Sequence, residues 1–95
     1  MIHVTVWVTM SDIANGKPGD PCACPIALAM KRAGLPSPEV YEDEIVWQDN
    51  GEHVAETSPT VREFIRYYDS GGTTIPIHFH LEERWQTNAQ KRGVV

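Results

Sequence analysis

The sequence predicts a one-domain α+β protein of ferredoxin-like type, βαββαβ, a four-stranded antiparallel sheet with two helices on one face. Three observations predict it. Residues 2–9 alternate, with Ile2, Val4, Val6 and Val8 on one side and His3, Thr5, Trp7 and Thr9 on the other. Residues 75–81 do the same, with Ile75, Ile77, Phe79 and Leu81 set against His78 and His80. A period of two over this length marks a strand with one covered and one open face. Between these strands lie two stretches with helical spacing of apolar residues and one hairpin signal, Asn50-Gly51.

After the first strand, Ser11 is placed to cap a single helical turn, Asp12-Ile13-Ala14-Asn15, which Gly16 ends. Residues 16–21 form a loop, because Gly16, Pro18, Gly19 and Pro21 interrupt any regular ladder. Pro25 suits the first turn of a helix, where its missing N–H costs nothing, and Gly34 with Pro36 stops that helix. Ile26, Ala29, Met30 and Ala33 make its apolar stripe. Residues 40–48 read as a strand that returns through the Asn50-Gly51 turn to residues 52–56. A tight turn there sets Trp47 opposite Val54 and Gln48 opposite His53, which sends His53 to the open face. Ser58 caps a second helix with Pro59 at its first position. Val61, Phe64, Ile65 and Tyr68 form its stripe, Arg62, Glu63 and Arg66 stay wet, and Gly71-Gly72 ends it. The domain is expected to span residues 1–82, followed by a polar tail, 83–95.

The usual strand order of this fold, 4-1-3-2, sets the first strand between the last and the third. His3 then lies beside His80 and Thr5 beside His78, with His53 nearer Trp7 and Thr9. All four histidines fall on one open face with Trp7. An exposed Trp on a strand marks a surface where partners dock, unless the tail, with Trp85, folds back over it. The expected contact residues are therefore His3, Thr5, Trp7, His53, His78 and His80.

Composition narrows the function classes. Ninety-five residues bury roughly 60–65% of the unfolded chain's surface, enough for one modest core. A net charge of −5 with scattered Lys and Arg opposes binding to nucleic acid through phosphates. No apolar run approaches the roughly 20 residues of a membrane span, and Met1 leads straight into a strand with no signal segment, so the expectation is a cytoplasmic protein without membrane contact. Cys22-Ala23-Cys24 and His78-Phe79-His80 together suggest zinc. The cysteines, however, lead into a helix on the covered side while the histidines point to the open side, and ligands must converge within about 2.0–2.3 Å of one ion. No metal or other cofactor is expected. Cys24 at a helix N-terminus has a dipole that favours the thiolate, but no acid–base partner accompanies it.

Val4-Thr5-Val6, Ser11-Asp12-Ile13-Ala14-Asn15-Gly16, Cys24-Pro25-Ile26-Ala27-Leu28-Ala29 and Val61-Arg62-Glu63-Phe64-Ile65-Arg66-Tyr67-Tyr68-Asp69-Ser70-Gly71 resemble a group of short uncharacterised bacteriophage and bacterial proteins. The resemblance implies no activity or catalytic residue. It implies a setting in which small acidic proteins act by binding host proteins. The expected function is therefore a non-enzymatic protein-binding module, a phage-encoded inhibitor of a host or defence protein that works through the open sheet face, on a host protein or on a second copy of itself. The alternatives are a His-based metal-binding protein, a small-ligand sequestering protein, or a thiol-dependent enzyme centred on Cys24.

Overall fold

Alternation and capping place eight elements along residues 3–82, the part of the chain that the computed structural model describes. β1 (His3–Trp7) pairs antiparallel with β5 (His78–Glu82). Their inner side chains, with Val8 just beyond β1, are the ones the alternation selects: Val6, Val8, Phe79 and Leu81 are each no more than 5% exposed. Ile2 lies outside the described residues. Ile75, expected inside, is 71% exposed. The strand starts later than the alternation suggests because Pro76 has no N–H for a ladder, and residues 73–77 run irregularly into β5.

α1 (Met10–Asn15) begins two residues earlier than the expected Ser11 cap implies. Thr9 caps it in a capping box: the Asp12 N–H donates to Thr9 Oγ1 at 3.3 Å and the Thr9 N–H to Asp12 Oδ2 at 2.9 Å. α2 (Pro25–Arg32) has Cys24 at its N-cap and buries Ile26, Ala29 and Met30. Ala33, expected on that stripe, lies past the last helical turn and is exposed. Gly16 sits where α1 meets α2; a Cβ there would approach Pro25 Cδ to 2.6 Å, so this close approach requires glycine. α3 (Pro59–Asp69) has the expected Ser58 cap and proline start, and buries Val61, Phe64 and Ile65. The Tyr68 hydroxyl, on the same stripe, lies 2.8 Å from the carbonyls of both Ile13 and Gly16 and pins α3 to the end of α1.

The expected strand over residues 40–48 is two strands, β2 (Glu39–Val40) and β3 (Glu44–Gln48), separated by the bend at Glu42 and Asp43. β4 (Glu52–Glu56) pairs with β3. The described strands thus form two antiparallel sheets, β1-β5 and β2-β3-β4, rather than a single four-stranded sheet, and three helices rather than two. The ferredoxin-like order also fails in detail, because the strand that approaches β4, within 8 Å between Cα atoms, is β5. A physical reason lies at the edge of β1. The Val8 N–H bonds the Ile77 carbonyl at 2.8 Å, so alternation turns the Trp7 carbonyl away from β5. Arg32 Nη2 then donates to that carbonyl at 2.7 Å, occupying the edge on which a third strand would add.

The Arg32 guanidinium is held in turn by the Asp12 carboxylate, at 2.6 and 2.7 Å. One bidentate pair therefore ties the start of α1, the end of α2 and the edge of β1. The Asp12 side chain is 5% exposed and the Arg32 side chain 51%. Burial pushes the Asp12 carboxyl up, but the Arg32 guanidinium and the Thr9 N–H outweigh it and hold it below the ordinary carboxylate range.

Candidate functional site

The outer face of the β1–β5 ribbon carries Thr5, Trp7, His78 and His80, all exposed, with Trp7 at 62%. Strand alternation puts them there: each is the neighbour of a buried Val, Phe or Leu. The register differs by two residues from the expectation. Trp7 faces His78, Thr5 faces His80, and His3 faces Glu82. Two of these cross-strand pairs interact. The Trp7 and His78 rings stack with centroids 4.6 Å apart, and Thr5 Oγ1 is hydrogen-bonded to His80 Nδ1 at 2.9 Å. His78 and His80 meet edge to face at 6.4 Å. His3 is placed by its backbone pairing alone, its side chain lying outside the described residues. So does the tail, 83–95, and with it the reading in which Trp85 covers Trp7.

His53 is not part of this face. The hairpin turn has three residues, Asp49-Asn50-Gly51, so Gln48 pairs with Glu52 and Trp47 with His53. Asn50 (φ 56°) and Gly51 (φ 122°) do take the left-handed conformations that the Asn-Gly signal favours. Including Asp49 in the turn shifts the pairing by one residue, which moves His53 to the other side of its strand. There its ring stacks on Trp47 at 5.5 Å, and Nε2–H donates to the Asp49 carbonyl at 2.8 Å. Trp47 is fully buried and its indole N–H has no hydrogen-bond partner among the described residues. The expected Trp47–Val54 and Gln48–His53 pairs are replaced by this arrangement.

Cys24, the other candidate, is 6% exposed and its Sγ accepts the Ala27 N–H at 3.5 Å. Burial pushes its thiol pKa up; the N–H groups of Ala27 and Ile26 pull it down without offsetting that, and Asp69 adds to the rise. The helix terminus thus stabilises the cap geometry rather than a thiolate. Cys22, two residues away, is exposed and free. Among the described residues no three His, Cys, Asp or Glu side chains converge in the manner of a metal centre. Among them also, no helix is long and apolar enough to cross a membrane.

Among the grooves lined by the described residues, two matter for the site. The larger, about 660 Å³, runs between α3 and residues 73–77 and is walled by Phe64, Tyr67, Ile75 and Ile77. It is a feature that the sequence reading missed, because Ile75 was assigned to the covered side of a strand. A second groove, about 550 Å³, is polar and joins Glu56, Ser58 and Arg62 to His80 and Glu82. It brings His80 into the wall between the two sheets. No protein-family model matches the chain, and neither a curated protein nor a solved structure matches it significantly.

Proposed function

We propose that this protein is a non-catalytic binding module that contacts another protein through the outer face of the β1–β5 ribbon. The observation that carries the reading is Trp7, a 62% exposed indole stacked on His78 at one end of that face. Aromatic side chains that are rigid before binding lose little conformational entropy on docking, and Trp is the residue type most enriched among those that dominate interface energy. Stacking on His78 and the Thr5–His80 hydrogen bond hold the face in one arrangement before a partner arrives. The buried, raised-pKa thiol of Cys24 weighs against a thiol-dependent enzyme. With the phage-type resemblance of its sequence, the partner class proposed is a cytoplasmic host or defence protein whose activity the contact inhibits.

A photo-reactive side chain in place of Thr5 tests this, with the same group in place of Tyr67, on the α3 side, as the control. Covalent protein adducts are expected from position 5 alone. Trp7→Ala, which leaves the buried residues untouched, is expected to weaken the captured contact by about 2 kcal/mol. Adducts formed equally from both positions, or unaltered binding by a folded Trp7→Ala protein, would defeat the proposal.

A further inference from the structure

We propose that His78 and His80 are half of a four-imidazole site for a divalent transition-metal ion such as zinc, and that the His78 and His80 of a second copy of this chain complete it. The inference rests on the same open face as the function proposed above, which a second copy joined through the ion would occupy in competition with a host protein. His78 and His80 sit at alternate positions of β5, so both imidazoles project from one side of the ribbon, and both are exposed. Each ring is oriented by a different neighbour on β1. Trp7 stacks on His78, and Thr5 Oγ1 holds His80 through Nδ1. In the tautomer that donates Nδ1–H to the Thr5 hydroxyl, His80 Nε2 offers its lone pair to a metal ion. This is the arrangement in which metal-ligating histidines are ordinarily held.

Two imidazoles bound to one tetrahedral ion at about 2.0–2.1 Å have ring centroids roughly 5 Å apart. The present centroids are 6.4 Å apart. Rotation of two exposed rings closes the difference without moving the strand. One chain supplies only two ligands in this place, whereas closed zinc sites take four. A two-fold axis through the ion supplies the other two from the same residues, the isologous arrangement expected of a homodimer. The ribbon face, five residues long on two strands, covers an area of roughly 17 by 10 Å, far below the ~800 Å² per partner of a stable protein contact. Self-association through this face therefore depends on the ion.

The test is sedimentation velocity of a Cys22→Ser, His3→Ala protein with and without zinc, together with cobalt absorption spectra. This background removes the exposed thiol and the remaining imidazole of β1. Expected results are a zinc-dependent dimer, one zinc per two chains, and the intense visible bands of tetrahedral cobalt without thiolate charge-transfer bands. His78→Ala or His80→Ala should abolish all three. Thr5→Val should keep the dimer but weaken metal affinity about 10- to 100-fold. A protein that stays monomeric in zinc, binds one zinc per chain, or dimerises unchanged after His80→Ala would overturn the proposal. Those results leave the binding-module reading intact if photo-adducts at position 5 form in the presence of a chelator; their loss there overturns that reading separately.

Discussion

Replacing Asp12 by Ala or Asn probes the contact that joins three elements, and its cost can be worked from the geometry. The Asp12 side chain accepts three hydrogen bonds, from Arg32 Nη1, Arg32 Nη2 and the Thr9 N–H, at 2.6–2.9 Å, while its backbone N–H donates to Thr9 Oγ1 to complete the capping box. Loss of the reciprocal bond from the Thr9 N–H, the Asp12 half of the capping box, contributes about 1 kcal/mol. Removing one partner of a fully buried ion pair costs about 3–5 kcal/mol, but Arg32 is 51% exposed and rehydrates, so only a fraction of that applies. Asp12→Ala is therefore expected to destabilise by about 2–3 kcal/mol. The effect has a pH signature. The carboxyl is held below its ordinary range in the folded state, so its contribution is complete above the unfolded value near ~3.9 and disappears as pH falls through the depressed folded value. Urea titrations of wild type and Asp12→Asn at pH 7 and at successive steps below pH 4 measure this. The gap between the two proteins should be full at neutral pH and close in acid. A gap below ~0.5 kcal/mol at pH 7, or one that does not change with acid, would refute the assignment of this pair as a tie between α1, α2 and β1.

Two further outcomes separate the core from the face and the thiols from each other. Phe64, 6% exposed on the inner stripe of α3, should cost about 3–5 kcal/mol on truncation to Ala, while Thr5→Ala should change stability little; chemical denaturation decides, and equal small effects would remove α3 from the core. Exposed Cys22 should react with a disulfide reagent at the rate of an ordinary thiol, and Cys24, buried with its pKa pushed up, only when the protein opens, so comparable rates for both in the native state would contradict the burial of the α2 cap.

What could be read from the sequence were the features that depend on a few adjacent residues. The Ser58-Pro59 start of α3, the Pro25 start of α2 and the inner face of Val6, Val8, Phe79 and Leu81 each follow from local chemistry that tertiary packing did not override. The start of α1 was misplaced because both Thr9 and Ser11 can cap. Only Thr9 has an acidic residue three positions on, Asp12, to answer its N–H, and that pairing decides between them. The sheet arrangement was not legible. It depends on which strand edge remains open, and the edge of β1 is closed by Arg32, a residue 25 positions away whose placement depends on α2 and on Asp12.

The binding face shows the same division between local and distant information. Trp7, Thr5, His78 and His80 share a surface because period-two alternation survives any register of even offset. Thr5 and His80 therefore stayed on the open face although their partners changed. His53 left it because an error of one residue in a turn reverses the side of the strand. Asp49 contributed that residue by joining the turn, and its carbonyl then received the His53 Nε2–H. The consequence is that, among the described residues, Trp–His stacking occurs twice, once buried at Trp47–His53 and once exposed at Trp7–His78. The sequence shows the same residue types in both, and only register separates them. In the first, the indole is fully covered and the stack packs a core; in the second, the indole is 62% exposed, and the stack holds a surface in place for contact.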